Sequence, residues 1–79
     1  MKYTLLYFAS LRDAAGCAKE SVASDARDPR VLYADAAARH GFGMPLERVR
    51  VAVNGIFARW DHAVADGDEI AFLPPVSGG

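Results

Sequence analysis

The residues best placed to do chemistry are the last ones, Pro74-Pro75-Val76-Ser77-Gly78-Gly79. Glycine has no side chain, so an extended tail of this kind can enter a narrow tunnel in a partner enzyme and present a bare backbone carboxylate to a reagent. The reactive group would then be the main-chain terminus rather than any side chain. Proline fixes φ and disfavours helix in the residue before it. Leu73, Pro74 and Pro75 are therefore expected to leave the last strand as a semi-rigid rod that points the glycines away from the fold. The same ending also suits an idle, frayed terminus, because chain ends fray in most domains.

The remaining candidates point elsewhere or nowhere. Cys17 is the only cysteine. Its thiol could carry a persulfide, but it directly follows a helix-stopping glycine and reads as a small apolar filler. His40 and His62 together with one cysteine match no zinc-ligand spacing, so no metal is expected. His62 follows Asp61, an orienting pair with no nucleophile to complete it. Asp66-Gly67-Asp68 reads as a turn rather than as a pair of catalytic acids. The glycines form neither a Walker loop nor a dinucleotide fingerprint, so any ATP used must be bound by a partner.

Elements must position the tail, and composition limits how many there are. A chain of 79 residues is one small domain without space for a large internal cavity, which disfavours a self-contained enzyme. Hydrophobic residues make up 52% and charged ones 24%, too apolar for intrinsic disorder. At a net charge of −1, with Lys and Arg scattered among acids, a nucleic-acid partner is not expected. One cysteine excludes an intrachain disulfide and fits a reducing cytoplasm. The apolar stretch from Tyr3 to Phe8 is far too short to span a membrane, so no membrane partner or signal peptide is expected.

Lys2 to Phe8 reads as a strand. Ser10-Leu11-Arg12-Asp13 has the spacing of a capping box for a short helix that Gly16 ends. Lys19 to Ser24 returns as a second strand, supported mainly by Val22. Asp28-Pro29 is an N-cap followed by proline at the first helical position. Gly41 closes the main helix, Arg30 to His40, whose stripe of Leu32, Tyr33, Ala36, Ala37 and His40 can lie on a sheet. Val49 to Asn54 and Ile56 to Trp60 form a hairpin about Asn54-Gly55, and the Asp66-Asp68 turn leads into a final strand, Glu69 to Leu73. In so short a chain the long helix must cover one face of a single mixed sheet. The expected fold is α+β, a β-grasp of about five strands over residues 1–73, with an extended flexible tail over 74–79.

Strand alternation sorts the side chains. Leu5, Tyr7, Ile70 and Phe72 face the helix, whereas Leu6, Phe8, Phe57 and Leu73 collect on the uncovered face, where Ala71 also points. Large apolar side chains clustered on an open sheet face mark a protein partner site.

Several runs resemble the small subunit of molybdopterin synthase, a ubiquitin-like sulfur carrier of the MoaD type in the MoaD/ThiS superfamily. They are Leu5-Leu6-Tyr7-Phe8-Ala9, Leu11-Arg12-Asp13-Ala14-Ala15-Gly16, Val51-Ala52-Val53-Asn54, Asp66-Gly67-Asp68-Glu69-Ile70 and Phe72-Leu73-Pro74-Pro75-Val76-Ser77-Gly78-Gly79. The last is the most specific. The Gly-Asp-Glu turn and terminal Gly-Gly also resemble the thiamin sulfur carrier, and Lys19 to Glu47 carries no family mark.

The resemblance implies a non-catalytic, sulfur-donating subunit of a transferase complex. An adenylating enzyme similar to the ubiquitin-activating type would activate the carboxylate of Gly79, a sulfurtransferase would supply sulfur, and the product would be a thiocarboxylate. In the large catalytic subunit that sulfur would pass to cyclic pyranopterin monophosphate to form the molybdopterin dithiolene. By position, Gly79 bears the sulfur, Gly78 gives clearance, and Pro74, Pro75, Val76 and Ser77 form the inserted stem. Phe8, Arg12, Phe57 and Leu73 are candidates for docking, with Arg12 equally well read as a solvated helix residue. No cofactor is expected to stay bound. A carrier for thiamin, cysteine or tRNA thiolation, or a ubiquitin-like conjugation or interaction module, fits the same tail.

Overall fold

The computed structural model describes residues 1–75. Five strands and two helices follow in the order β1 (Lys2–Tyr7), α1 (Ala9–Ala15), β2 (Lys19–Ala23), α2 (Pro29–His40), β3 (Arg50–Val53), β4 (Ile56–Ala58) and β5 (Glu69–Leu73). A 3₁₀ turn at Leu46–Arg48, which the sequence reading passed over, leads into β3. The strands lie in the order β2-β1-β5-β3-β4, so the last strand is the central one. It runs parallel to β1, with Leu5 opposite Ile70 and Tyr7 opposite Phe72, and antiparallel to β3, with Val51 opposite Phe72. This is the mixed β-grasp sheet that the element order required.

The main helix begins and ends where its punctuation demands. Asp28 accepts a hydrogen bond from the Arg30 backbone N–H at 3.0 Å, Pro29 occupies the first turn, and Gly41 adopts the left-handed conformation at φ 71°. Its buried face is Pro29, Leu32, Tyr33 and Ala36, packed on Tyr3, Leu5, Tyr7, Val51, Ile70 and Phe72 of the sheet. The aromatic part of this core is closely interlocked, with Tyr33 edge-on to Phe72 at 5.2 Å and Trp60 stacked on it at 6.1 Å. Polar tips of these rings find backbone partners: Tyr3 donates to the Ala26 carbonyl at 2.8 Å, Tyr33 to that of Met44 at 2.7 Å, and the Trp60 indole to that of Val49 at 3.2 Å. A buried aromatic ring therefore costs no orphaned donor here.

Three local expectations need correction. Ser10 is no helix cap: α1 starts at Ala9 behind Phe8, which makes no side-chain capping bond. The chain turns from strand to helix through Ala9, at φ 50°, and the backbone N–H groups of Leu11 and Arg12 reach the Phe8 carbonyl at 3.1 and 3.4 Å. Ser10 is thus already inside the first turn, where a cap has nothing to do. β1 correspondingly stops at Tyr7 rather than Phe8. β4 stops at Ala58 rather than Trp60, because Trp60 folds inward onto Phe72 and Tyr33 and leaves the ladder. The Asn54-Gly55 turn has both residues at positive φ, 52° and 84°, the geometry that a two-residue hairpin needs.

Candidate functional site

The site is built where β5 leaves the sheet. Because β5 and β1 are parallel, both reach the same edge: Tyr7 lies opposite Phe72, so Phe8 departs into α1 where Leu73 departs toward the tail. On the other flank Arg50, the first residue of the antiparallel β3, lies opposite Leu73. Helix α1 rests against β1 and β5, anchored in the core by Leu11, and carries Arg12 exposed in its last turn. Leu73 and Pro74 are half-buried and Pro75 is exposed, and Pro74 and Pro75 belong to neither strand nor helix. The remaining tail positions, Val76, Ser77, Gly78 and Gly79, lie outside the described residues.

The uncovered sheet face adjoins this exit. Register places Lys19, Leu6, Ala71, Ala52 and Phe57 in one row across all five strands. Ala52 and Ala71 are nearly inaccessible yet are not members of the helix-side core, because both lie low among longer neighbours on the opposite face. Above them stand Leu6, half-buried, and Phe57, 60% exposed; Phe8 at the same edge is 43% exposed. Two small residues beneath large ones give a shallow, open apolar surface. Phe8 and Leu73 are brought to one edge and Phe57 to the row beside it, whereas Arg12 sits apart on α1.

Two features of the site were not singled out in the sequence. The Arg50 guanidinium lies over the Phe57 ring, 4.5 Å from its centroid. The available signal was the alternation Val49-Arg50-Val51-Ala52, which sends Arg50 outward with Ala52. Exposed Ile56 joins Val53, Asn54, Phe57, Ala58, His62 and Asp68 in a shallow cleft at the sheet edge.

The polar side chains set aside as structural have structural partners. Asp66 accepts from the Lys2 backbone N–H, and Asp68 accepts from the Ala65 N–H at 2.8 Å and the Asn54 amide at 3.0 Å, so the turn is tied to the start of β1 and to the β3–β4 turn. Those bonds, the one from Ala65 foremost, hold the Asp68 carboxyl below its ordinary range. Asp61 is engaged by Arg59 at 3.1 Å rather than left to orient His62. Cys17 packs half-buried against the core. On the helix side, Glu20 gathers the Tyr7 hydroxyl at 2.6 Å, Arg39 at 2.9 Å and His40 at 3.0 Å. Burial alone would raise the Glu20 carboxyl, but these three hydrogen bonds outweigh it and pull it down to about 2. The Tyr7 hydroxyl is pushed up, by burial first and then by Glu20.

Comparison with known proteins agrees with this architecture. A model of the ThiS family matches residues 5–79. The molybdopterin synthase sulfur carrier subunit of Escherichia coli (strain K12) is 37% identical, over 95% of this chain and 96% of its own length. Among solved structures, SAMP1 from Haloferax volcanii superposes with a TM-score of 0.80 at 32% identity, covering all of both chains. A complex of subunits 1 and 2 of the molybdopterin-converting factor from Helicobacter pylori contains a chain with a TM-score of 0.70 at 25% identity, again over the whole of both chains.

Proposed function

The chain belongs to the ThiS/MoaD family, and from that footing we propose that it is the sulfur-carrying small subunit of a molybdopterin synthase. The observation that carries this reading is the likeness, over nearly the entire chain, to a sulfur carrier subunit of that enzyme. The geometry supports it: the central strand delivers Leu73-Pro74-Pro75 off the edge of an open apolar face, where a partner docked on the face would receive the tail. Phe8, Phe57 and Leu73 supply the apolar contact, with Arg12 at the rim. Pro74 to Ser77 form the stem, Gly78 gives clearance, and Gly79 carries the sulfur.

A carboxylate is a poor acyl electrophile because its leaving group would be oxide. An adenylating partner, similar to ubiquitin-activating enzymes, spends ATP: the Gly79 carboxylate oxygen attacks the α-phosphorus and pyrophosphate leaves. The terminal sulfur of a persulfide on a sulfurtransferase cysteine then attacks the acyl carbon and AMP departs, and a second thiol cleaves the resulting acyl disulfide, freeing the thiocarboxylate and leaving the two thiols joined as a disulfide. The resulting thiocarboxylate is ionised at neutral pH and nucleophilic without a helper base, the anion being the reactive form of sulfur. Inserted into the large catalytic subunit, it gives its sulfur to cyclic pyranopterin monophosphate. A dithiolene needs two sulfurs, so the carrier must leave and be recharged, which favours moderate affinity. The small subunit binds no cofactor of its own in this scheme, and the setting is a reducing cytoplasm.

The deciding experiment mixes thiocarboxylated protein with the large subunit and cyclic pyranopterin monophosphate. Molybdopterin formation with return of the carboxylate supports the proposal; delivery only to a thiazole-forming, cysteine-forming or tRNA-thiolating enzyme contradicts it. A second reading, protein modification, is favoured by the likeness to SAMP1, a small archaeal modifier protein. It would give larger covalent adducts in intact-mass spectra after activation.

A further inference from the structure

Beside the tail exit the apolar face carries a charge that nothing in the scheme above uses. Arg50 lies opposite Leu73, the last residue of β5, and its guanidinium is seated on Phe57 4.5 Å from the ring centroid. It is exposed and makes no ion pair among the described residues, in contrast to Arg30, Arg39 and Arg59. Along the strands of that face, register sets Lys19 beside Leu6 toward the same edge, whereas Glu69, the one carboxylate among those strand positions, lies toward the far edge opposite Thr4. The face is therefore apolar and cationic at the tail end, whereas at the other end Lys2, on the same side of β1 as Thr4 and Leu6, offsets the charge of Glu69. A guanidinium cannot lose its proton in a protein, so covering Arg50 with an apolar surface would strand a charge. Resting on an aromatic ring leaves its N–H edge free to meet a planar anion.

We propose that Arg50 is the residue that orients this face on its partner, by pairing with an acidic side chain at the mouth of the partner's tail-binding tunnel. The inference rests on the carrier reading and deepens it. A phosphate at the reacting end is not the anion in question. Six residues follow Leu73, and a fully extended stretch of that length reaches about 20 Å, beyond the range of a side chain beside its root. Complementary charge beside the tail's root steers encounter and disfavours the reversed orientation, which would carry Arg50 away from the acidic rim and put Glu69 and Lys2, with no net positive charge between them, in its place.

The test measures association with the large molybdopterin synthase subunit of the same organism by stopped flow at low and high salt. Arg50→Glu is expected to lower the association rate constant about tenfold at low salt, with the deficit shrinking to about twofold or less near 0.5 M salt, and Arg50→Lys should recover most of it. Arg27→Glu changes net charge identically but lies in the segment that packs on the helix side, beside Ala26, and should move the rate by less than about twofold. Thermal unfolding of each variant confirms that the exposed substitution leaves the fold intact. Equal rates for Arg50→Glu and wild type, or equal slowing by Arg27→Glu, would overturn the orienting role alone. Failure of the wild-type protein to bind that subunit at all would instead overturn the carrier reading, and this inference with it.

Discussion

At the scale of single residues, Glu20 and Phe57 make opposite contributions. Glu20 joins Tyr7 of β1 to Arg39 and His40 at the end of α2, and its carboxyl is held near 2 against an ordinary 4.5. A carboxyl lowered in the folded state stabilises it fully above the unfolded value. That stabilisation is lost as pH falls from about 4.5 toward 2. Glu20→Gln should therefore cost about 1–2 kcal/mol at neutral pH, after allowance for partial solvent screening, and flatten the acid limb of stability. Denaturant melts at pH 7 and pH 3 check this; an unchanged acid limb would assign the acid sensitivity elsewhere. Phe57 is 60% exposed, so Phe57→Ala should change stability by about 0.5 kcal/mol or less. Its cost should fall on docking, with affinity for the large subunit lowered about tenfold or more. Loss of stability with full affinity would make it a core residue and contradict the docking face.

At the scale of elements, the parts that carry their own punctuation were legible. Asp28, Pro29 and Gly41 bracket α2 in the sequence and in the structure, and Asn54-Gly55 makes the β3–β4 turn. Asp28→Ala removes both the bond to the Arg30 N–H and the ion pair to its guanidinium. It should cost about 1 kcal/mol, the usual worth of an N-cap, read as a lowered melting temperature with sulfur transfer unaffected. Elements whose limits depend on distant partners were not legible. Ser10 has the right chemistry for a cap, yet Ala9 takes the turn one residue earlier, because β1 must hand the chain to α1 at the edge where Leu11 can reach the core. Trp60 has strand propensity, yet packing on Phe72 withdraws it from β4. The Glu20 cluster joins residues 13 to 20 positions apart and has no local signature at all.

At the scale of the whole molecule, fold and function share one geometry. Strand alternation alone separated a helix-side face from an open one, and the register sets Leu6, Ala71 and Phe57 on one face, as that alternation requires. Arg50 across Phe57 was within reach of the same reading, since the Asn54-Gly55 hairpin pairs Ala52 with Phe57 and so sets Arg50 on the diagonal of the same face. Placing β5 in the centre of the sheet secures the tail's root by two ladders, one to β1 and one to β3. The most direct test is the intact mass of the protein after incubation with its adenylating enzyme, ATP and a sulfur source, read beside a chain lacking Gly79. A gain equal to the difference between sulfur and oxygen, located at Gly79 and absent from the truncated chain, is the predicted result. Equal sulfur uptake by the truncated chain, or sulfur found on Cys17 instead, would contradict it.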